Sequence, residues 1–110
     1  MSDYPTEAEL EELRAFDTLA LGVKPLVERV RELWWKPDWG FRVYRTKDDI
    51  YGSCIGLELH TGGWSGNESI ISALEQNYLF WALSWSRSSV GGHYWFRISR
   101  DNWRKGRENE

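Results

Sequence analysis

The spacing of apolar residues changes at Pro37, and no other feature of the chain limits its fold as much. Before Pro37 apolar residues recur every three to four positions: Leu10, Leu13, Phe16, Leu19 and Ala20, then Leu26, Val27, Val30, Leu33 and Trp34. That is the period of one face of an α-helix. After it, FRVYR (41–45) and IYGSCIGLELH (50–60) alternate, the period of a strand with one face on a core. A chain carrying both periods in succession is neither all-α nor all-β.

Local signals place the elements. Thr6 and Glu9 form a T-x-x-E capping box ahead of the first helical stretch. Gly22 ends or bends that helix, Pro25 suits the first turn of the next, and Pro37 closes it. Residues 6–35 are therefore expected to form a helical hairpin or one broken helix. KDD (47–49) reads as the turn of a β-hairpin between the two alternating stretches. Ser65 and Glu68 repeat the capping box, Ile70, Ile71 and Leu74 give the following helix a buried face, and Asn77 is suited to end it. LFWALSW (79–85) and HYWFRIS (93–99) alternate around SSVGG, which predicts a second hairpin. The expected fold is α+β: an N-terminal helical hairpin followed by β-β-α-β-β, with helices packed on a four-stranded antiparallel sheet. A length of 110 residues is one domain, 1–110, with 1–5 and 102–110 expected to fray.

Composition narrows the function classes. The single cysteine, Cys54, allows no intrachain disulfide and fits a reducing compartment. The acidic start MSDYPTEAELEEL has no apolar run of the kind a leader or anchor needs, so a cytoplasmic protein without a membrane partner is expected. A net charge of -3 argues against a nucleic-acid polymer as partner. The charge is uneven: residues 1–17 hold six acids and Arg14, while residues 97–107 hold five bases and Asp101. No P-loop, dinucleotide fingerprint or metal-ligand spacing is present, so no cofactor and no metal are expected. Eight tryptophans exceed what a small core needs and point to aromatic surface available for binding.

The alternation separates two sheet faces. If the second loop is Ser88–Gly91, Trp85 faces Tyr94, Leu83 faces Phe96 and Trp81 faces Ile98. One face then carries Leu79, Trp81, Leu83, Trp85, Tyr94, Phe96 and Ile98 with Ile55, Leu57 and Leu59, and is the expected core. The other carries Arg42 and Tyr44, then Gly52, Cys54, Gly56, Glu58 and His60, then Phe80, Ala82, Ser84 and Ser86, then His93, Trp95 and Arg97. Glycines inside a strand mark a close approach by something else. The N-terminal helices are one candidate cover, but unpaired burial of Arg42, Glu58, Arg97 and two histidines would be costly. A shallow site on this face, edged by HTGGWSGNESI (60–70), meets both demands.

In that edge, Trp64 precedes the Ser65 cap and can staple the helix start. Gly62 and Gly63 would let the backbone approach a ligand, and the helix start at Ser65 offers N–H groups to an anion. The candidate ligand set is therefore His60, Gly62, Gly63, Trp64 and Ser65 with Arg42, Tyr44, His93, Trp95 and Arg97.

TGGWSGNESI, with NYLFWALSWSRSSVGGHYWFRI, resembles small proteins encoded by tailed bacteriophages, over about residues 55–99. The resemblance carries no activity or catalytic residue. It implies an accessory factor in the host cytoplasm that binds a host protein or sequesters a small host signal. The leading expectation is a binding protein, not an enzyme, that takes a small anionic, nucleotide-like ligand. The alternatives are a protein–protein inhibitor of a host factor using exposed tryptophans, and a small hydrolase built on Glu58, His60 and His93. The tryptophan excess also suggests a homo-oligomer.

Overall fold

A computed structural model describes residues 4–104. The expected fraying of 1–3 and 105–110 lies outside the described residues. Helix α1 (Glu7–Arg14) opens with the predicted capping box: Thr6 Oγ1 accepts from Glu9 N at 3.1 Å, and Glu9 Oε1 accepts from Thr6 N at 2.8 Å. The helix stops at Ala15. Asp17 then caps a separate turn, α2 (Thr18–Leu21), by accepting from Ala20 N at 3.0 Å, and Gly22 ends it with a positive φ. Helix α3 (Lys24–Leu33) has Pro25 in its first turn and buries Leu26, Val27 and Val30. The first predicted helix is thus two, because Asp17 satisfies the N–H groups of a new start. Arg29 ties α3 to α1 through Glu12 at 2.8 Å. Pro37 does not close α3, which ends at Leu33; it begins a short turn, α4 (Pro37–Gly40), as proline at a helix start does.

Strands β1 (Phe41–Asp48) and β2 (Gly52–His60) form the first hairpin. Its turn lies two residues later than KDD. Asp48 Oδ1 accepts from the N–H groups of Ile50 (3.0 Å) and Tyr51 (2.6 Å), so Asp48 shapes the bend and Lys47 stays in the strand. Helix α5 (Ser65–Gln76) starts with Trp64, not Ser65, at the cap position, so Ser65 and Glu68 make no capping box. Asn67 fills the third helical position instead. It is buried, accepts from Trp35 N at 2.8 Å and donates to the carbonyls of Trp35 (3.1 Å) and Thr61 (3.4 Å).

The main correction concerns LFWALSW. It is not a strand but helix α6 (Tyr78–Ser84), and the strand that follows, β3 (Trp85–Ser89), is short. Asn77 decides this. It ends α5, as the sequence predicts, and its Oδ1 then accepts from Phe80 N to start α6. Its amide also donates to the carbonyls of Leu13 and Phe16, each at 3.0 Å. Phe80 and Ser84, one turn apart, point inward, and Leu79 and Leu83 point outward at about 40% exposure. Seven residues fit either period, and the cap selects the helical one. Phe80, Ala82, Ser84 and Ser86 therefore do not line up on the second sheet face, and Leu79 and Leu83 do not enter the core.

Strand β4 (His93–Ser99) pairs with both β2 and β3, giving the antiparallel order β1-β2-β4-β3. Observed partners are Trp85–Phe96, Arg87–Trp95, Ser88–Tyr94 and Ser89–His93, not the pairs expected above. The irregularity between Trp85 and Arg87 inserts an extra residue, so Trp85 stays with Phe96 and Arg87 swings to Trp95. A final turn, α7 (Arg100–Trp103), is capped by Ser99 and held by Val23 N donating to Asn102 O at 2.8 Å.

One sheet face, with Phe41, Leu57, Leu59, Phe96 and Ile98, packs on Leu13, Leu26, Val30, Ile70, Leu74 and Phe80 from the helices. The architecture is the expected α+β one, with seven helices among the described residues. No described helix is long and apolar enough to cross a membrane.

Replacing Asn77 with alanine should lower unfolding free energy by about 2–4 kcal/mol, because one buried carbonyl, one half-buried carbonyl and one helix start lose their partner. Urea unfolding followed by circular dichroism checks this. Asn77→Asp, which keeps only the acceptor role, should recover a minor part.

Candidate functional site

The pleat of β2 builds the site. Ile55, Leu57 and Leu59 face the core, so Gly56, Glu58 and His60 face the other way. Strand pairing sets neighbours beside them in rows: Arg42–Glu58–Trp95 and Tyr44–Gly56–Arg97, with His60 opposite His93. The helical side chains of the core gather on the opposite face. Arg42 is exposed, and Tyr44, Glu58, His60, His93, Trp95 and Arg97 are half-buried. The N-terminal helices do not cover this face.

Gly56 is the floor. The Tyr44 ring lies across it so closely that a β-carbon would fall 2.4 Å from Tyr44 Cζ. Arg42 stacks its guanidinium over the same ring at 4.4 Å and pairs with Glu58 Oε2 at 3.2 Å. Arg97 donates to the Tyr44 hydroxyl at 3.0 Å and to the Phe96 carbonyl at 3.1 Å. Arg87 lies over the Trp95 ring at 4.1 Å. At the end of the row the Nδ1 atoms of His60 and His93 share a hydrogen bond of 2.8 Å, one donating and one accepting. His60 Nε2 lies 3.4 Å from Glu58 Oε1. The rings of Trp39 and Trp95 flank His60. Trp39 is 63% exposed.

Six of the ten predicted residues thus share one face: Arg42, Tyr44, His60, His93, Trp95 and Arg97. Gly62, Gly63, Trp64 and Ser65 form the turn beyond its histidine end. Gly62 and Gly63 take positive φ, and Gly62 sits against the Trp39 ring. Trp64 points elsewhere. It stacks on Trp35 at 4.4 Å and meets the edge of Tyr4 at 5.3 Å. Because Trp64 is itself the cap residue, it is not the expected staple, which would sit one position ahead of the cap; it packs instead on Trp35, whose backbone Asn67 fixes. The Trp64 indole N–H is buried with no hydrogen-bond partner among the described residues.

Two residues on the face escape sequence reasoning. Arg87 does so because the bulge moves it, and no local signal announces a bulge in WSRSS. Trp39 does so because it belongs to a helical turn before β1; its place directly ahead of an alternating stretch was the available hint. Among the described residues no three His, Cys, Asp or Glu side chains are placed to hold a metal ion.

Cys54 is 2% exposed, and its burial pushes the thiol pKa up, with Asp48 adding to the rise and Arg97 opposing it. Comparison with family models, curated proteins and solved structures gives no match to this chain.

Gly56→Ala should push Tyr44 off the sheet and cost about 1–3 kcal/mol, read by thermal unfolding. The thiol makes a second, pH-dependent prediction. An unfolded cysteine ionises near pH 8.5. The folded one stays protonated longer, so the folded chain binds more protons above that pH. Unfolding free energy should fall as pH rises above about 8.5, and Cys54→Ala should remove that component of the slope.

Proposed function

We propose that this chain is a binding protein, not an enzyme, and that its uncovered sheet face takes a small anionic ligand bearing an aromatic ring, of nucleotide type. The observation that supports this reading is the content of that face. Tyr44, Trp95 and Trp39 offer rings, and Arg42, Arg87 and Arg97 offer guanidinium groups. Its carboxylate, Glu58, is already engaged by Arg42. Arg87 and Arg97 have no ion-pair partner among the described residues. A base stacks on an aromatic side chain or on a guanidinium plane, and arginine meets phosphate with paired donors. Stacked guanidinium groups on Tyr44 and Trp95 present both functions together. The histidine pair and the Gly62–Gly63 turn would orient the ligand at the far end. Sequestering a small signal in a host cytoplasm is the role that accords with the phage resemblance.

A second reading has its own observation. Leu19, Leu79 and Leu83 line one shallow depression between α2 and α6, and all are more than 40% exposed. Trp85, just after α6, is 44% exposed. An apolar surface of this kind suits a protein partner or a second copy of the chain.

Native mass spectrometry of the protein purified from cells, followed by denaturing release, separates the two. A stoichiometric adduct with nucleotide absorbance supports the ligand reading; an apo mass in a stable oligomer or complex supports the other. Calorimetric titration with a panel of ribonucleotides should then give an affinity that Trp95→Ala and Arg97→Ala each weaken about tenfold or more. If both variants fold and bind as the parent does, the sheet face is not the site. Incubation with phosphodiester substrates should show no turnover above a Glu58→Gln control.

A further inference from the structure

The end of the sheet far from the histidines carries a feature that the binding face does not use. A cleft of about 730 Å³ opens where the β1–β2 hairpin meets α7 and the start of α3. Among the described residues five cationic side chains line it, Lys24, Arg45, Lys47, Arg100 and Arg104, and no aspartate or glutamate does. Lys24 has Glu28 at 3.8 Å, and Arg45, Lys47 and Arg100 stand in no ion pair among the described residues. Trp103 forms part of the lining, as does Tyr44, which also belongs to the binding face.

These cations come from three separate places in the chain and are brought together only by folding. Their mutual repulsion opposes the fold, since like charges near one another are destabilising. The whole chain carries a formal charge of -3, so the concentration of positive charge is local. A concave surface lined by one sign of charge focuses the field and draws in counter-ions of the other sign. A single phosphate would neutralise a minority of five cations. A chain of phosphates would meet several at once, and arginine matches phosphate oxygens with two donors each.

We propose that this cleft is a second anion site, distinct from the sheet face, and that it takes a polyphosphate group of at least two linked phosphates. The group is the tail of a nucleoside polyphosphate or a free inorganic polyphosphate. Both supply the same chemistry to these side chains. Recognition is by charge and donor geometry at Arg45, Lys47, Arg100 and Lys24, with Trp103 as an apolar wall. Neither Trp95 nor the histidines take part.

The test uses inorganic probes on the full chain. Orthophosphate, pyrophosphate and triphosphate are titrated calorimetrically at about 50 and 200 mM salt, the range over which phosphate contacts are weakened. The expected order is triphosphate tighter than pyrophosphate, and pyrophosphate tighter than orthophosphate. Lys47→Gln combined with Arg100→Gln should weaken triphosphate about tenfold or more, while the unliganded variant melts at the same temperature as the parent or higher. Both side chains are exposed, so folding should be retained; Arg45→Gln with Lys24→Gln is the second pair, with the same expectation. Trp95→Ala should leave triphosphate binding unchanged, which keeps this site apart from the sheet face. Comparing adenosine triphosphate with inorganic triphosphate on the Trp95→Ala chain identifies the source: tighter binding of the nucleotide indicates a nucleoside polyphosphate, and equal or tighter binding of the inorganic probe indicates a free polyphosphate. Equal affinity for all three inorganic probes would overturn the proposal, as would folded double variants that bind triphosphate like the parent.

Discussion

Both faces of the sheet follow from the two-residue pleat of β2, one of the two strands with a partner on each side. Its odd positions, Ile55, Leu57 and Leu59, face the helices, and its even positions, Gly56, Glu58 and His60, face away. A strand cannot mix the two sets, because a slip of one residue would move three apolar side chains to water and a glutamate into the core. Pairing with β1 and β4 then transmits the parity outward. Tyr44 and Arg97 must flank Gly56, and Arg42 and Trp95 must flank Glu58. The polar face is therefore a direct consequence of burying the apolar one.

Two buried asparagines tie the helices into the core. Asn67 pins the chain at Trp35, and Asn77 joins the end of α1 to the junction of α5 and α6. Each side chain satisfies backbone groups that would otherwise be buried without partners. With the core-forming helices committed to one face, the other remains accessible. Its arginines do not project freely: they lie on Tyr44 and Trp95 or bond to the Tyr44 hydroxyl, so the face is ordered before anything binds. Preorganisation of this kind lowers the entropy lost on association.

The expected elements fare unevenly, for identifiable reasons. Strong, long signals held: the Thr6 box, the Pro25 start, the β1–β2 hairpin and the Asn77 stop are all present. The stretch 79–85 is ambiguous because seven residues are too few to separate a period of 2 from one of 3.6 when both inside and outside positions are apolar. The Ser65 box fails because Trp64 takes the cap position and Asn67 is drawn into a distant contact. Six of the ten candidate site residues fall on one face because β1, β2 and β4 were assigned the correct parity. Arg87 was out of reach because a bulge changes parity without a distinctive local sequence. The cationic cleft was equally out of reach: Lys24, the β1 arginine and lysine, and Arg100 are far apart in the chain.

By itself the sequence determined the class of the fold, the two faces of the central hairpin and the residues that could not be buried, because periodicity and charge are local properties. Only the tertiary structure decided which face the helices cover, where β3 begins, and which cations share a cleft. Those outcomes depend on groups brought together across tens of residues, as when Asn77 bonds to the Leu13 carbonyl or Arg45 and Arg100 line one cleft, and no local pattern records such meetings.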